Sequence, residues 1–402
     1  MSTWLEANAA LVFALIKVLV LVFVLLTGIA YLVWFERKVV AHIQTRWGPY
    51  RVGPHGLLQP LADGLKFLFK EDVSQPNVTS PFVYVLAPFL SLTLAMLAIA
   101  VIPFGPDVEL WGVTIRPQIA DLNIGLLFIL AVTSLGVYGI ALAGWASNSK
   151  YPLLGSLRSS AQMVSYELAL TFSVVGVLLH AGTLSLREIV DAQAAAWSLP
   201  RWFVFPQIIG FICFFLSAIA ESNRLPFDLP EAESELVAGF HTEYSSFKFA
   251  MFFLAEYAHM ITASCLLTIL YFGGWHSPFP ATAAFAFTQY FPVLLLGTLA
   301  LLCLLDVFRL SRGLHRLLML VLGIGLAALA WVVAQPPLLA ALQGLFWFLV
   351  KVGTFLFIYV WVRGTLPRFR YDQLMAFGWK FLVPLAVANV IVTSFFLAAG
   401  LD

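Results

Sequence analysis

The 402-residue chain is 61% hydrophobic and only 11% charged, with a formal net charge of +1 at pH 7. Soluble domains are about half apolar and a quarter charged, so this composition excludes a soluble protein and indicates an integral membrane protein. The small net charge offers no basic surface for nucleic acid, and the spacings typical of zinc, calcium and phosphate-loop sites are absent, so we expect neither nucleic acid nor metal.

Ten apolar runs have about the 20 residues that a helix needs to cross the hydrocarbon layer. The first run lacks the flanking pattern of a signal peptide and is interpreted as a retained helix. The predicted spans lie near residues 10–34, 82–103, 123–143, 162–181, 204–222, 247–271, 290–308, 315–334, 344–362 and 380–399. The sequence therefore predicts an all-α, polytopic transmembrane helix bundle that forms one membrane domain, residues 1–402.

Basic residues are distributed unequally over the predicted loops. When the loops alternate between the two sides of the membrane, most of the 22 Lys and Arg residues fall on one side. Basic loops face the cytoplasm, so this distribution predicts that both termini lie on the periplasmic side.

Residues 57–70 (LLQPLADGLKFLFK) are too few and too charged to span, yet their leucines recur with helical spacing. We interpret this stretch as an amphipathic helix on the cytoplasmic membrane surface. A plain loop is the alternative.

Several acids fall inside or beside predicted spans. A carboxylate in the bilayer costs at least about 2.5 kcal/mol, so such residues are candidates for function. Glu167, Glu221 and Glu256 lie within spans, whereas Glu36 and Asp306 lie at span ends, where a structural role is an equal alternative.

Other chemistry-bearing residues in the spans are few. Lys17 and Lys351 either pair with the buried acids or extend to the interface. The three cysteines, Cys213, Cys265 and Cys303, stand singly in apolar runs and are interpreted as core residues.

The loop after the fifth predicted span, residues 221–246, is acidic on the side that is otherwise basic. Two prolines, Pro226 and Pro230, would turn this segment back toward the membrane. Burial there would raise the pKa values of its carboxyl groups and let them exchange protons near neutral pH. A solvated acidic loop that balances nearby arginines is the alternative.

Long motifs occupy the cytoplasmic loops. They read ERK at 36–38, QTRWGPYRVGP at 44–54, GLLQPLAD at 56–63, GWASNSKY at 144–151, SYE at 165–167, ESNRLPFDLPEAESE at 221–235 and RGTLPRFRYDQLM at 363–375. In this order they resemble the H subunit of bacterial respiratory complex I, the family of mitochondrial subunit 1 of NADH:ubiquinone oxidoreductase.

The resemblance implies a membrane subunit that forms part of the quinone chamber and couples quinone reduction to proton translocation. It places quinone as the substrate and NADH, FMN and the iron–sulfur clusters in partner subunits, with no catalytic redox centre on this chain. It also implies a multi-pass protein of the bacterial inner membrane that contacts lipid, the hydrophilic quinone-site subunits and neighbouring small membrane subunits.

The matching motifs also imply residue roles. The quinone entrance and chamber, within a loop and amphipathic helix at 36–81, would comprise Glu36, Arg37, Arg46, Arg51, Gln59 and Asp63. Proton coupling would involve Glu167, Glu221, Asp228, Glu231, Glu233, Glu235, Glu243 and Glu256. The partner interface would comprise Arg224, Arg368, Arg370 and Asp372. For the arginines, a topology signal or a contact with lipid headgroups is the alternative.

Residues 281–335 depart from the family pattern and add two apolar helices, which we interpret as peripheral packing or lipid contact. Two other functions stay open. The corresponding subunit of a membrane-bound hydrogenase-type complex would need no quinone entrance, whereas residues 44–63 resemble the quinone-reducing family. An autonomous ion transporter would often show internal repeats, and none is evident.

Overall fold

A computed structural model of the chain describes residues 9–72, 78–110, 113–194, 202–228, 237–279, 283–310 and 313–400. These ranges are almost entirely helical. The α-helices are α1 (Ala9–Ile43), α2 (Gln59–Phe69), α3 (Pro81–Ile99), α4 (Gly125–Ala146), α5 (Lys150–Ala181), α6 (Leu186–Ala192), α7 (Ile208–Glu221), α8 (Ser246–Tyr271), α9 (Phe291–Arg309), α10 (Gly313–Val333), α11 (Pro336–Thr365), α12 (Tyr371–Phe377) and α13 (Val383–Ala398). Short 3₁₀ turns occur at Pro54–Gly56, Gly239–His241 and Ala283–Tyr290, and a hairpin pairs β1 (Val108–Leu110) with β2 (Val113–Ile115).

In the part of the chain that the structure describes, nine helical segments are long and apolar enough to cross a membrane. The last of them runs from α12 through a π-helical turn into α13. The fifth predicted span corresponds to α7, which has only 14 residues because it begins at Ile208, after a turn. At 1.5 Å per residue it is about 21 Å long. The prediction of an all-α polytopic bundle is confirmed, with α7 as a shorter apolar helix.

Close helix packing brings α8 into the centre of the bundle, where most of its residues are buried. Small residues permit the approach of neighbouring helices. A Cβ added to Gly139 of α4 would lie 2.9 Å from Cβ of Ser91 on α3. The largest fully buried side chains include Tyr166, Tyr257 and Tyr271, so the core around α8 is aromatic.

Helix α2 has the amphipathic character that the sequence predicted. Its exposed face carries Leu61, Leu65, Leu68 and Phe69. The opposite face, which includes Asp63, turns toward α1 and α8. One long face of this helix is therefore apolar and uncovered, as expected of a helix that lies in a membrane surface.

Among the described residues, Lys351 on α11 neither pairs with an acid nor extends to the interface, the two alternatives that the sequence offered. Its Nζ donates hydrogen bonds to the carbonyl oxygens of Phe272, Gly274 and His276, at 2.6, 2.9 and 2.6 Å. It also lies over the ring of Trp202, 4.7 Å from the centroid. The lysine therefore satisfies the carbonyl groups of the turn that ends α8.

At the end of the bundle that carries the hairpin, Asp107 and two arginines form an ion-pair cluster. Asp107 Oδ1 accepts a hydrogen bond of 2.5 Å from Nη2 of Arg187, and its Oδ2 lies 3.4 Å from Nε of Arg116. The hydrogen bond from Arg187, with the positive charges of both arginines, holds the pKa of Asp107 below its usual range. This cluster links the hairpin region to α6.

Candidate functional site

A cavity of about 630 Å³ opens between α1, the loop that follows it, α8 and the end of α11. Its polar wall contains Glu36, Arg37, Gln44, Arg46, Tyr257 and Arg363. Apolar side chains, among them Val33, Val40 and Phe253, complete the lining. Such a mixture suits a ligand with a polar head and an apolar body.

A second cavity, of about 370 Å³, lies under α2 and has mainly apolar walls from α1, α2 and α8. It shares Val33, Arg37 and Phe253 with the larger cavity, so the two meet at these side chains. Its polar groups are few. Nη1 of Arg37 lies 2.7 Å from Oδ2 of Asp63, and Nε2 of Gln59 donates to Oδ1 of Asp63 at 2.9 Å.

Glu36 forms the centre of a buried charged cluster beside the larger cavity and is only 6% exposed. The hydroxyl of Tyr257 donates a hydrogen bond of 2.9 Å to its Oε2. Its Oε1 lies 3.7 Å from Nη1 of Arg224 and pairs directly with Arg363. Helices α1, α8 and α11 and the loop after α7 thus meet at one carboxylate.

Arg224 connects Glu36 to a second buried acid. Its Nη2 lies 3.8 Å from Oε2 of Glu256, and its guanidinium stacks over the ring of Tyr257, 4.0 Å from the centroid. Desolvating charges is costly, and each charge here is tolerated because opposite charges surround it. The cluster therefore holds two carboxylates and two guanidinium groups at the inner wall of the cavity.

Two very small cavities flank Glu221, deeper in the bundle. Both are lined by Glu221, Ser222 and His259, and one of them also reaches Glu256. Their volumes, about 20 and 10 Å³, are near the minimum that accommodates one water molecule. The Glu221 carboxylate is thereby linked through one narrow space to Glu256.

Glu167 is a third acid, beside Glu221 and Glu256. Its carboxylate lies near the hydroxyl group of Ser134 on α4 and interacts electrostatically with Glu221. The carboxylate of Glu221 lies near the hydroxyl group of Thr133 on the same helix. Glu256, Glu221 and Glu167 come from three different helices, α8, α7 and α5. A row of acids, in which Glu256 and Glu221 line one small cavity, is an arrangement that can pass protons.

The structure brings most residues of the predicted quinone entrance together. Glu36, Arg37 and Arg46 line the larger cavity, and Arg37 also lines the second cavity with Gln59 and Asp63. Arg51 is exposed and lies outside both linings.

The other predicted residues are more dispersed. Asp228 is 8% exposed and pairs at 3.0 Å with Arg368, and Arg370 lies 3.3 Å from Asp372 on the surface. Glu243 lies toward α3, where its backbone carbonyl accepts a hydrogen bond of 2.5 Å from Tyr84. Glu231, Glu233 and Glu235 lie outside the described residues.

Arg224, which the resemblance assigned to the partner interface, is buried within this chain, and its interface role stays a prediction. It is only 6% exposed, and its two carboxylate neighbours belong to α1 and α8. The motif string placed it in a loop, and the loop turns inward immediately after α7.

Three residues of the site were missed by sequence reasoning. Tyr257 follows Glu256 directly, but nothing local reveals its contact with Glu36. Arg363 opens the motif at 363–375, but no role was assigned to it. His259 stands three residues after Glu256, so helical spacing could have placed both on one face.

Comparison with known proteins gives consistent matches along nearly the whole chain. A family model described as NADH dehydrogenase matches residues 16–394. A protein of Solibacter usitatus, named as a first H subunit of NADH-quinone oxidoreductase, is 54% identical over 389 residues, 96% of each chain. The second H subunit of Koribacter versatilis is 52% identical over 401 residues, 96% of this chain and 98% of the relative. The H subunit of Protochlamydia amoebophila is 45% identical over 370 residues, 92% of this chain and 93% of the relative.

Proposed function

The chain belongs to the NADH dehydrogenase family, that of the H subunit of NADH-quinone oxidoreductase, and from this premise we propose that it forms part of the quinone-binding chamber and couples quinone reduction to proton translocation. The observation that carries the proposal is the junction of an apolar cavity under α2 with a polar cavity at Glu36. A quinone has an apolar isoprenoid tail and a polar head, and the two cavities offer matching walls in that order.

In this proposal the quinone enters beneath α2, whose uncovered apolar face lies in the membrane surface. Its tail follows the apolar cavity, and its head reaches the wall that carries Arg37, Arg46 and Glu36. Arg37 and Asp63 stand where the cavities meet, so they guide the head from one to the other.

Coupling begins at the buried charged cluster. Quinone reduction requires protons and changes the charge in the chamber, and Glu36 and Glu256 share the charge of Arg224. A change at Glu36 therefore alters the balance at Glu256, and the row continues through Glu221 to Glu167. Carboxyl groups that interact this closely titrate as a unit, which lets one event shift the protonation of the next.

The remaining features concern topology and partners. We propose that both termini face the periplasm, because most loops with basic residues then face the cytoplasm. The hydrophilic subunits would cover the loops on that side and close the quinone chamber. NADH, FMN and the iron–sulfur clusters would be bound by those subunits, and the protein would be a multi-pass component of the bacterial inner membrane.

The test uses the whole complex, purified in mild detergent and reconstituted into vesicles. Glu221→Gln keeps the shape of the side chain and removes its titration, and we expect it to lower proton-coupled quinone reduction about tenfold or more. Glu188→Gln, an exposed acid on α6, is the matched control. NADH-dependent quinone reduction and proton uptake are measured together. A normal rate with a normal number of protons per electron would contradict the coupling role, and a chain that purifies alone and transports ions would contradict the whole proposal.

A further inference from the structure

Helices α9 and α10 are attached to the rest of the chain at two distant points. At the first turn of α9, the ring of Phe291 packs on Trp347 of α11, with centroids 5.7 Å apart. At its last turn, Oδ2 of Asp306 lies 3.1 Å from Nε2 of His55. His55 belongs to the 3₁₀ turn Pro54–Gly56, and α10 also packs on this turn. The added helices therefore reach from α11 to the loop that follows α1.

The two helices are held closely to each other. A Cβ added to Gly323 of α10 would lie 2.9 Å from Leu304 of α9, so this glycine permits the close approach. Nε of Arg316 donates a hydrogen bond of 2.5 Å to the carbonyl oxygen of Leu310, which ties the connection between them. Because the two helices pack closely, the contact at one end of the helical hairpin restricts movement at the other end.

The turn at Pro54–Gly56 supports the wall of the larger cavity. Gly56 has a φ of +78°, and a Cβ at this position would collide with the carbonyl group of Pro49. The ring of His55 packs edge-on against Tyr50, with centroids 5.8 Å apart. Pro49 and its neighbour Gly48 line the cavity. On one side, His55 contacts Tyr50, the neighbour of the cavity-lining Pro49. On the other side it lies next to Asp306, with which it forms an ion pair when its imidazole is protonated.

Asp306 is a carboxylate near the end of a mainly apolar helix, where a charge is costly without a partner. Besides His55, Arg309 approaches it at 3.9 Å, and Arg309 is 81% exposed. The shorter contact is the one that crosses to the loop. A protonated His55 therefore gives this carboxylate a charged partner within the protein.

We propose that α9 and α10 brace the mouth of the quinone cavity, with Asp306 as a positioning residue that holds residues 48–56 through His55. This inference rests on the proposed function of the cavity. It assigns a role to residues 281–335, which the sequence alone had suggested only as packing or lipid contact. The brace adjusts how readily the quinone head passes the loop, and it leaves the chemistry at the inner end of the chamber unchanged.

The test compares Asp306→Asn, His55→Asn and the double variant in the purified complex. Asparagine at position 55 tolerates the left-handed backbone of His55, whose φ is +52°, but is too short to reach Asp306. Arg309→Gln is the matched control, because it removes the other ion pair of Asp306 without touching the loop. Two quantities are measured: hydrogen–deuterium exchange of the segment 44–58, and KM and kcat for quinone.

In each single variant we expect the backbone amide hydrogens of residues 44–58 to exchange about threefold faster or more. We also expect KM for quinone to rise about three- to tenfold, with kcat changed less than about twofold. The double variant should resemble His55→Asn, because that variant already removes the contact with Asp306 as well as the ring contact with Tyr50. Unchanged exchange in Asp306→Asn would overturn the brace, whatever the kinetics. Faster exchange with unchanged KM would overturn the positioning role. If Arg46→Gln in the cavity wall also left KM unchanged, the proposed quinone route would fail separately.

Discussion

The hydroxyl of Tyr257 donates a hydrogen bond to Oε2 of Glu36 at 2.9 Å, although 221 residues separate the two in sequence. This contact joins α1 to α8, and Arg224 stacks on the same tyrosine ring while it approaches the same glutamate. One aromatic side chain therefore orients both the carboxylate of Glu36 and the guanidinium group of Arg224. The cavity wall and the row of glutamates behind it meet at this point.

Replacing Arg224 with methionine would leave Glu36 and Glu256 with much less positive charge in a buried site. Removing one member of a buried ion pair typically costs about 3–5 kcal/mol of stability. We expect a markedly lower thermal inactivation midpoint and poor assembly of the complex. Arg370→Met is the control, because its pair with Asp372 is exposed and should contribute less than about 1 kcal/mol. Equal effects of the two variants would contradict the placement of Arg224.

Replacing Tyr257 with phenylalanine removes the hydrogen bond to Glu36 and keeps the ring under Arg224. A hydrogen bond to a charged group is worth about 1.5–3 kcal/mol, so Glu36 should lose its fixed position. We expect KM for quinone to rise about tenfold or more, which steady-state kinetics of the reconstituted complex would measure. Tyr359→Phe is the control, since its buried hydroxyl has no hydrogen-bond partner among the described residues. If both variants bind quinone normally, Tyr257 has no such role.

Two lysines inside membrane-spanning helices should respond differently to replacement by methionine. Lys351→Met would leave three carbonyl oxygens of the turn after α8 without their donor. At about 1–3 kcal/mol for an unsatisfied buried group, a clear loss of thermal stability is expected. Lys17 makes one long hydrogen bond within the described part of the chain, 3.5 Å to the carbonyl oxygen of Gln118, so Lys17→Met should be nearly neutral. A reversed order of the two variants in a thermal unfolding assay would contradict these contacts.

Asp107 should make stability depend on pH at the hairpin end of the bundle. Its pKa is lowered in the folded protein, chiefly by the hydrogen bond from Arg187. The stabilisation is therefore present above the unfolded pKa, about 3.9, and is lost as the pH falls through the lower folded value. We expect Arg187→Gln to unfold at a lower temperature than wild type from pH 7 down to about pH 5. Below about pH 4 this difference in unfolding temperature should shrink. Calorimetry across this pH range measures it, and a difference that does not change with pH would contradict the role of the pair.

The sequence predicted the spans well, because hydropathy over about 20 residues is a local property. It also singled out Glu36, Glu221 and Glu256 as candidate functional residues, because charges in apolar runs stand out. It could not place Arg224 inside the bundle, since that position depends on contacts with helices that precede and follow it by many residues. The role of Lys351 was equally hidden, because its partners are backbone carbonyl groups that no side-chain pattern records.

The length of α1 has a consequence for how a lipid-soluble molecule exchanges with this site. With 35 residues, α1 is about 52 Å long, whereas the hydrocarbon layer is about 30 Å thick. Glu36 and Arg37 lie near the overhanging end, while Ile29 and Val33 line the apolar cavity one to two turns below. A molecule whose head reaches Glu36 can therefore keep its tail against apolar side chains. Each methylene group that would otherwise enter water costs about 0.8 kcal/mol, and the apolar cavity along α1 would spare the tail of the proposed quinone that cost.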